Sequence, residues 1–383
     1  MTDICIIGGG ASGIIAAVAA RMENRDITIR VLEKGGRIGR KLLATGNGRC
    51  NFTNASCDNS NQIQAFFQKL GIKSREEEQG RIYPYSGRGE DVLDAFELYL
   101  DRGNVEVITN FTADGLLFSG QGKITVCGGL EKVAAGKVLL ATGGKAGPQF
   151  GCTGDGYRLA REAGHTVTKL TPALSPLECV GDFEMIGGCR ARAAVSVLKK
   201  GAALHTEYGE LQFGKYGLSG ICIMNLSRYI RLDDCDFCDY GIACDLTPGI
   251  SLEELVSDLK ARNREYNIPP EHLLISYVPK TLGAYILSAA GTGAGAEGVA
   301  GLLKDLRFTV SNVKGWQFAQ CTAGGVPLSE IDAVTMESKI MRGLYFSGEI
   351  VDYDGPCGGY NLNNAWETGL KAGRAMAGNV QDS

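Results

Sequence analysis

Histidine is scarce in this chain. Only His165, His205 and His272 occur among 383 residues, too few for a His-rich metal site and poor material for a serine-type triad. Positive charge is not in excess either. The 39 Lys and Arg stand against 43 Asp and Glu, for a net charge of −4, and this lacks the basic footprint of a nucleic-acid binder. No apolar run approaches the roughly 20 residues of a membrane span, and Met1 leads straight into "DICIIGGG" without the basic and apolar regions of a secretory signal. The expectation is a cytoplasmic protein that acts on a small molecule and meets neither nucleic acid nor membrane. Cysteine is plentiful, with 13 residues, but the number is odd, the spacing is irregular, and no second C-x2-C accompanies Cys235 and Cys238. Neither a disulfide framework nor a zinc site is expected.

What the chain has in abundance is glycine, 54 residues, about twice the usual share. "DICIIGGGASGIIAAVAARM" reads as a strand (Ile4 to Ile7), a glycine turn and a helix, and Gly8, Gly10 and Gly13 fit G-x-G-x-x-G in that context. The first glycine allows the tight turn, the second lets backbone approach a pyrophosphate, and the third lets helix and strand pack closely. The amides of Ala11, Ser12 and Gly13 then face phosphate with the positive end of the helix dipole. A second strand, "ITIRVLE", ends at Glu33, 20 residues after Gly13. An acid there accepts hydrogen bonds from the ribose hydroxyls of an adenosine and repels a 2′-phosphate.

Distant segments favour FAD over NAD as the dinucleotide. "KVLLATGGKAG" is an apolar strand ending in a turn at Thr142 and Gly143, of the kind that returns to the FAD sheet in two-dinucleotide-fold flavoproteins. "GLYFSGEIVD" ends in Gly348 and Glu349 and resembles the flavoprotein strand whose terminal acid, usually Asp, holds the ribityl chain. Glu is one methylene longer, so that contact is either shifted or bridged by water. In "DGPCGGYNLNNAWETGLKAGRAMA", Gly358 and Gly359 precede a helix whose first residues, Tyr360, Asn361 and Leu362, aim free amides at the flavin N1 and O2 edge.

"GRIGRKLLATGNGRCNFTN" follows Glu33 and Lys34, where FAD proteins lead the chain past the pyrophosphate toward the isoalloxazine. Arg40 and Lys41 either offset phosphate charge or form a solvated basic turn. Asn47, Gly48, Arg49 and Asn51 offer amides and side chains to the ribityl chain and ring edge. Cys50, in the same contact set, fits burial as a small apolar residue better than redox work.

"GRKLLATGNGRCNFTN", "LLATGGKAGPQFGCTGDGYRLAREAGH", "LTPALSPL" and "GLYFSGEIVDYDGPCGGYNLNNAWETG" together resemble a bacterial family of FAD-dependent oxidoreductases that includes dehydro-bile-acid reductases and aminoacetone oxidases. The resemblance covers nearly the whole chain. It implies that Thr153 and Asp155, in "CTGDGYRLAREAGH", cap a helix near FAD, contact the cofactor, or do both. It also implies that Ala113, in "NFTADGLL", meets the adenine edge.

The expected fold is α/β. A Rossmann-like FAD-binding domain made of residues 1–190 and 318–383 holds FAD non-covalently and is interrupted twice. Residues 191–250 show short strand-like runs and form a β-rich, barrel-like insertion. Residues 251–317 turn helical, starting from a capping box at Ser251 and Glu254, with "AAGTGAGAEGVAG" as an inter-helix loop.

Three activities remain open. The first is reduction of an activated, enone-type C=C bond, including steroid or bile-acid-like substrates, with NADH or NADPH as a transient donor; no second dinucleotide fingerprint is present. The second is a flavin oxidase of a small amine or aminoketone that releases hydrogen peroxide. The third is a flavin-holding interaction protein without turnover. Tyr353 and Tyr360 fall near the expected flavin edge, where a structural role suits them better than proton donation, and no catalytic residue is assigned.

Overall fold

The computed structural model describes residues 2–119, 122–230, 239–265 and 268–378; the pair Cys235 and Cys238 lies outside them. The chain divides into two units, Met1–Thr171 with Cys321–Ser383, and Pro172–Gln320.

The first unit is built on a seven-stranded sheet. Strand β1 (Thr2–Ile7) pairs in parallel with β2 (Ile29–Leu32) on one side and with the strand Glu131–Leu140 on the other. Glu131–Leu140 in turn pairs in parallel with Leu344–Phe346, so a segment from near the end of the chain completes the sheet. Flanked on both sides, β1 is apolar and buried from Ile4 to Ile7, as central parallel strands are. Helix α1 (Ala11–Glu23) is buried from Ser12 through Ala20. Its small residues admit the C-terminal helix Tyr360–Ala377 to backbone contact. A Cβ at Gly369 would fall 2.5 Å from Ser12 O, and one at Gly373 would fall 2.3 Å from Ala16 O. Phe52, Phe67, Phe96 and Trp366 interlock with ring centroids 4.5 to 5.8 Å apart. Trp366 Nε1 donates to Phe52 O at 2.9 Å, which fixes the "GNGRCNFTN" loop to the C-terminal helix.

The second unit is a closed barrel of six strands, in the order Leu177–Cys179, Gly217–Ser219, Ala202–Gly214, Arg190–Lys199, Tyr240–Asp245 and Leu306–Val313. Inward side chains such as Ala193, Val195 and Val197 alternate with more exposed ones. Helices Leu252–Arg264, Lys280–Ala290 and Ala296–Lys304 lie in sequence between two barrel strands that pair with each other. Their buried residues, among them Leu255, Leu282, Ile286 and Leu303, belong to the same core as the barrel interior.

Barrel and helices therefore form one unit rather than separate insertions at 191–250 and 251–317. Its strands begin at Leu177, before residue 190, and residues 306–313 are a strand whose buried Leu306, Phe308 and Val310 follow period 2. The capping box forms: Glu254 N donates to Ser251 Oγ at 3.1 Å and Ser251 N to Glu254 Oε2 at 2.9 Å. "AAGTGAGAEGVAG" is a loop only between Gly291 and Gly295, because Ala289 and Ala290 end one helix and Ala296 starts the next.

Candidate cofactor site in the sheet unit

The first turn has the stereochemistry its glycines require. Gly8 has φ +111°, and a Cβ there would lie 2.4 Å from Ala141 O; a Cβ at Gly13 would lie 2.0 Å from Gly8 O. Gly10 differs, since nothing lies within 4 Å of its Cβ position. Packing explains Gly8 and Gly13, whereas Gly10 leaves room for a ligand. No side chain caps α1, so the amides of Ala11, Ser12 and Gly13 are left without helical acceptors. Ser12 Oγ donates to Ser347 O at 3.3 Å, tying this turn to the end of the strand Leu344–Phe346.

Glu33, just past β2, accepts Gly9 N–H on Oε2 at 2.9 Å and Gly35 N–H on Oε1 at 2.7 Å. The carboxylate is thus aimed by backbone, and each oxygen keeps capacity for a further hydroxyl donor. Phe111 N–H donates to Glu33 O at 3.0 Å, which brings the segment carrying the buried Ala113 beside this turn.

In the following loop Asn47 and Gly48 are exposed, and Asn47 and Cys50 have φ +56° and +58°. Cys50 is fully buried, and burial pushes its thiol up to about 12, partly offset by a hydrogen bond with Thr45. It is a protonated, packed thiol. Arg49 is turned onto the Tyr83 ring, 4.1 Å from its centroid, and pairs with Glu77. Asn51 is 8% exposed, and its Oδ1, without a hydrogen-bond partner, lies 3.0 Å from the Cβ position of Gly359.

Gly358 and Gly359 have φ +121° and +103°, and a Cβ at Gly359 would strike Thr53 O at 2.4 Å. The helix that follows has no side-chain cap, which leaves the amides of Tyr360, Asn361 and Leu362 free of helical acceptors. Asn361 instead closes the preceding loop, exchanging two 2.9 Å hydrogen bonds with the backbone of Gly355. Asn54 Nδ2 holds Gly358 O at 2.9 Å.

Glu349 gathers four other chain segments. Lys41 Nζ meets its Oε2 at 2.6 Å, Thr322 N donates to its Oε1 at 2.9 Å, and the Tyr157 hydroxyl donates to its backbone O at 3.1 Å. A Cβ at Gly144 would fall 2.6 Å from Glu349 Oε1, so only glycine passes there. Burial works against the charge on Lys41, but its neighbours, Glu349 foremost, more than offset this and hold the Lys41 pKa above its ordinary value. Arg40 is exposed and donates to Gln149 O at 2.9 Å.

Thr153 and Asp155 do not cap their helix. Gly154, at φ +79°, takes the cap position of Asp155–Glu162, and no side chain bonds there. Both side chains turn to Lys34, whose Nζ lies 2.6 Å from Asp155 Oδ2. Burial pushes the Asp155 carboxyl up, and the bonds from Lys34 and Thr153 more than reverse this, so it is held below the usual range. Thr142 Oγ1 is buried without a hydrogen-bond partner, and Gly143 (φ +69°) has nothing within 4 Å of its Cβ position.

Two uncapped helix N-termini, open space at Gly10 and Gly143, a backbone-aimed acid at Glu33 and orphaned polar atoms on Asn51 and Thr142 make a donor and acceptor set that fits FAD. Sequence reasoning missed the cluster around His165, whose residues are far apart in the chain. His165 Nδ1 lies 2.9 Å from Glu330 Oε2, and Nε2 lies 2.7 Å from Ser338 Oγ. The arrangement has the connectivity of a hydrolytic triad, but the histidine side chain is fully buried and Ser338 Oγ also accepts Ile340 N–H and Met341 N–H. A serine so engaged is a clamp rather than a nucleophile.

A mixed sheet with a parallel centre, opened by a strand, glycine turn and helix and with an acid after the second strand, defines a Rossmann-type dinucleotide-binding protein. The chain belongs to the HI0933-like protein Rossmann domain family, whose model matches residues 2–63 and 58–375. It is 35% identical to a 3-dehydro-bile acid delta(4,6)-reductase of Clostridium scindens, over 98% of this chain and 99% of that one. It is 25% identical to a ribosomal RNA dihydrouridine synthase of Escherichia coli, over 96% of each chain. The solved 3-ketosteroid delta1-dehydrogenase of Sterolibacterium denitrificans shares the fold at TM-score 0.54 and 13% identity, covering 98% of this chain and 99% of that one. The exclusion of nucleic acid drawn from charge finds no support here, since one of these relatives is named for ribosomal RNA. Among the described residues no helix is long and apolar enough to cross a membrane.

Proposed function

We propose that this protein is a non-covalent FAD enzyme that saturates a C=C bond conjugated to a carbonyl, on a steroid or bile-acid-like enone, with electrons from NADH or NADPH. The observation that carries the reading is the end-to-end likeness to the bile-acid reductase. The more distant relative points the same way: forming dihydrouridine saturates the uracil C5–C6 bond, which is also conjugated to a carbonyl. Saturating a C=C bond conjugated to a carbonyl by hydride transfer calls for a hydride at the far carbon and a proton at the near one, whichever of the two substrates is reduced.

Bound FAD would supply the hydride chemistry, and the protein would supply binding, orientation and electrostatics. The amides of Ala11 to Gly13 would hold the pyrophosphate and Glu33 the adenosine ribose. The amides of Tyr360 to Leu362 would offer free N–H groups and the positive end of a helix dipole to the flavin ring.

Anaerobic mixing with NADH or NADPH should bleach the flavin absorbance near 450 nm, and a 3-oxo-4-ene steroid should restore it with loss of the double bond. Denaturation should release the flavin into the supernatant. Rapid peroxide formation from aminoacetone without enone reduction would establish the oxidase reading instead. Turnover of uracil in ribosomal RNA fragments, with steroids inert, would move the substrate to nucleic acid. A flavin that no metabolite reduces would leave only a binding role.

A further inference from the structure

Lys41 and Glu349 stand 308 positions apart in the chain and meet at 2.6 Å. Lys41 is 25% exposed and Glu349 20%. The other oxygen of Glu349 is held by Thr322 N–H at 2.9 Å, and Thr322 Oγ1 is fixed by Lys145 N–H and Ala146 N–H at 2.8 and 3.1 Å. Gly144 excludes any side chain from the space beside Oε1. Tyr157, Cys152 and Cys321 beside the pair are displaced by burial toward their protonated forms, and Lys34, Glu33, Asp352 and Asp354 are the charged groups that also act on them. Lys41 and Glu349 are the two opposite charges in direct contact, and each compensates the other.

We infer that Lys41 is a positioning residue that acts on the cofactor through Glu349, and not a phosphate ligand. The inference rests on the FAD reading of the site. A carboxylate one methylene longer than aspartate has an extra rotor, and an amine and an amide on opposite oxygens remove that freedom. Each oxygen keeps a lone pair in a fixed orientation, and a ribityl hydroxyl would donate to one of them. Removing Lys41 frees the carboxylate and leaves its charge uncompensated in a half-buried site; removing Glu349 strands the lysine.

The test is a double-mutant cycle read as FAD affinity of the apoprotein. Lys41→Met and Glu349→Gln should each weaken FAD binding about 10- to 150-fold, the range of one charge-assisted hydrogen bond. The double variant should be no weaker than the worse single one, and Lys41→Arg should bind within a few-fold of wild type. A second ligand sharpens the test: an FAD analogue with an alkyl chain in place of the ribityl retains the pyrophosphate. Lys41→Met should bind it as wild type does.

If the two losses multiply, or if Lys41→Met loses the analogue as severely as FAD, Lys41 acts on phosphate and the inference is overturned. Unchanged FAD affinity in Lys41→Met overturns it as well. Where Lys41→Met fails to fold, the charge-free pair Lys41→Met with Glu349→Leu takes its place, and losses of FAD and of analogue that are equal overturn the inference. Failure of the wild-type protein to bind FAD at all would strike the cofactor reading itself, an outcome separate from the cycle.

Discussion

Replacing Glu33 by alanine should weaken two things at once, and the structure fixes the size of each. In the folded protein the carboxylate accepts Gly9 N–H at 2.9 Å and Gly35 N–H at 2.7 Å, so the variant loses two hydrogen bonds to a charged acceptor. Such bonds contribute about 1.5–3 kcal/mol each when well shielded. Glu33 is partly exposed, and water replaces the acceptor for part of the time, which lowers the combined cost to about 2–3 kcal/mol. For a unit of this size that is a fall of roughly 4–12 °C in Tm. Loss of the ribose contact adds a separate effect, a decrease in FAD affinity of about 10- to 150-fold. Thermal unfolding of the apoprotein reads the first effect, and titration with FAD by quenching of flavin fluorescence reads the second. Glu33→Gln should fall between, because its amide NH2 must face one of two N–H donors. A variant with lowered Tm and wild-type FAD affinity would refute the ribose contact while leaving the turn intact. Unchanged values in both would refute the reasoning altogether.

Gly373→Ala should destabilise the protein by about 1–3 kcal/mol, measured by urea unfolding, because its methyl group would enter the 2.3 Å gap to Ala16 O. His165→Ala removes one hydrogen-bond partner from each of Glu330 and Ser338 and the ring packed on Phe346, and should cost about 2–4 kcal/mol in the same assay; a hydrolase assay on ester substrates should show no difference between variant and wild type. The depressed Asp155 carboxyl contributes stability that is present above the unfolded value near 3.9 and is lost as pH falls through the lower folded value. Asp155→Asn should thus be less stable than wild type at pH 6, and the gap should close as the pH drops below about 4.

The parts of the site readable from sequence are those whose physics is local. Gly8, Gly10, Gly13 and Glu33 act within a few residues or at a fixed strand-helix-strand spacing, and the glycines before Tyr360 announce a helix start. The capping box at Ser251 was readable for the same reason. Partnerships across the chain were not. Nothing near Lys41 in sequence indicates Glu349, so a lysine beside a pyrophosphate-binding turn suggests phosphate until the fold brings the carboxylate to it. Thr153 and Asp155 are good capping residues in isolation, but Gly154 can adopt a left-handed φ that they avoid, and it takes the position. The strand Leu306–Val313 was absorbed into a helical segment because three helices precede it. Its identity depends on barrel partners at Leu177–Cys179 and Tyr240–Asp245, more than 60 residues away.

The strand Leu344–Phe346, paired with Glu131–Leu140, sets an order of events during synthesis. The sheet of the first unit lacks this strand and its C-terminal helix until 149 residues, from 172 through 320, have left the ribosome. At 5–20 residues per second that wait is roughly 7–30 s, long against the folding time of most domains. Pro172–Gln320 is continuous in sequence and needs no such delay. Over that interval the surface of α1 that receives Gly369 and Gly373 is bare, and so is one edge of the strand Glu131–Leu140. Truncation before residue 344 should therefore yield an aggregating product with a correctly folded barrel.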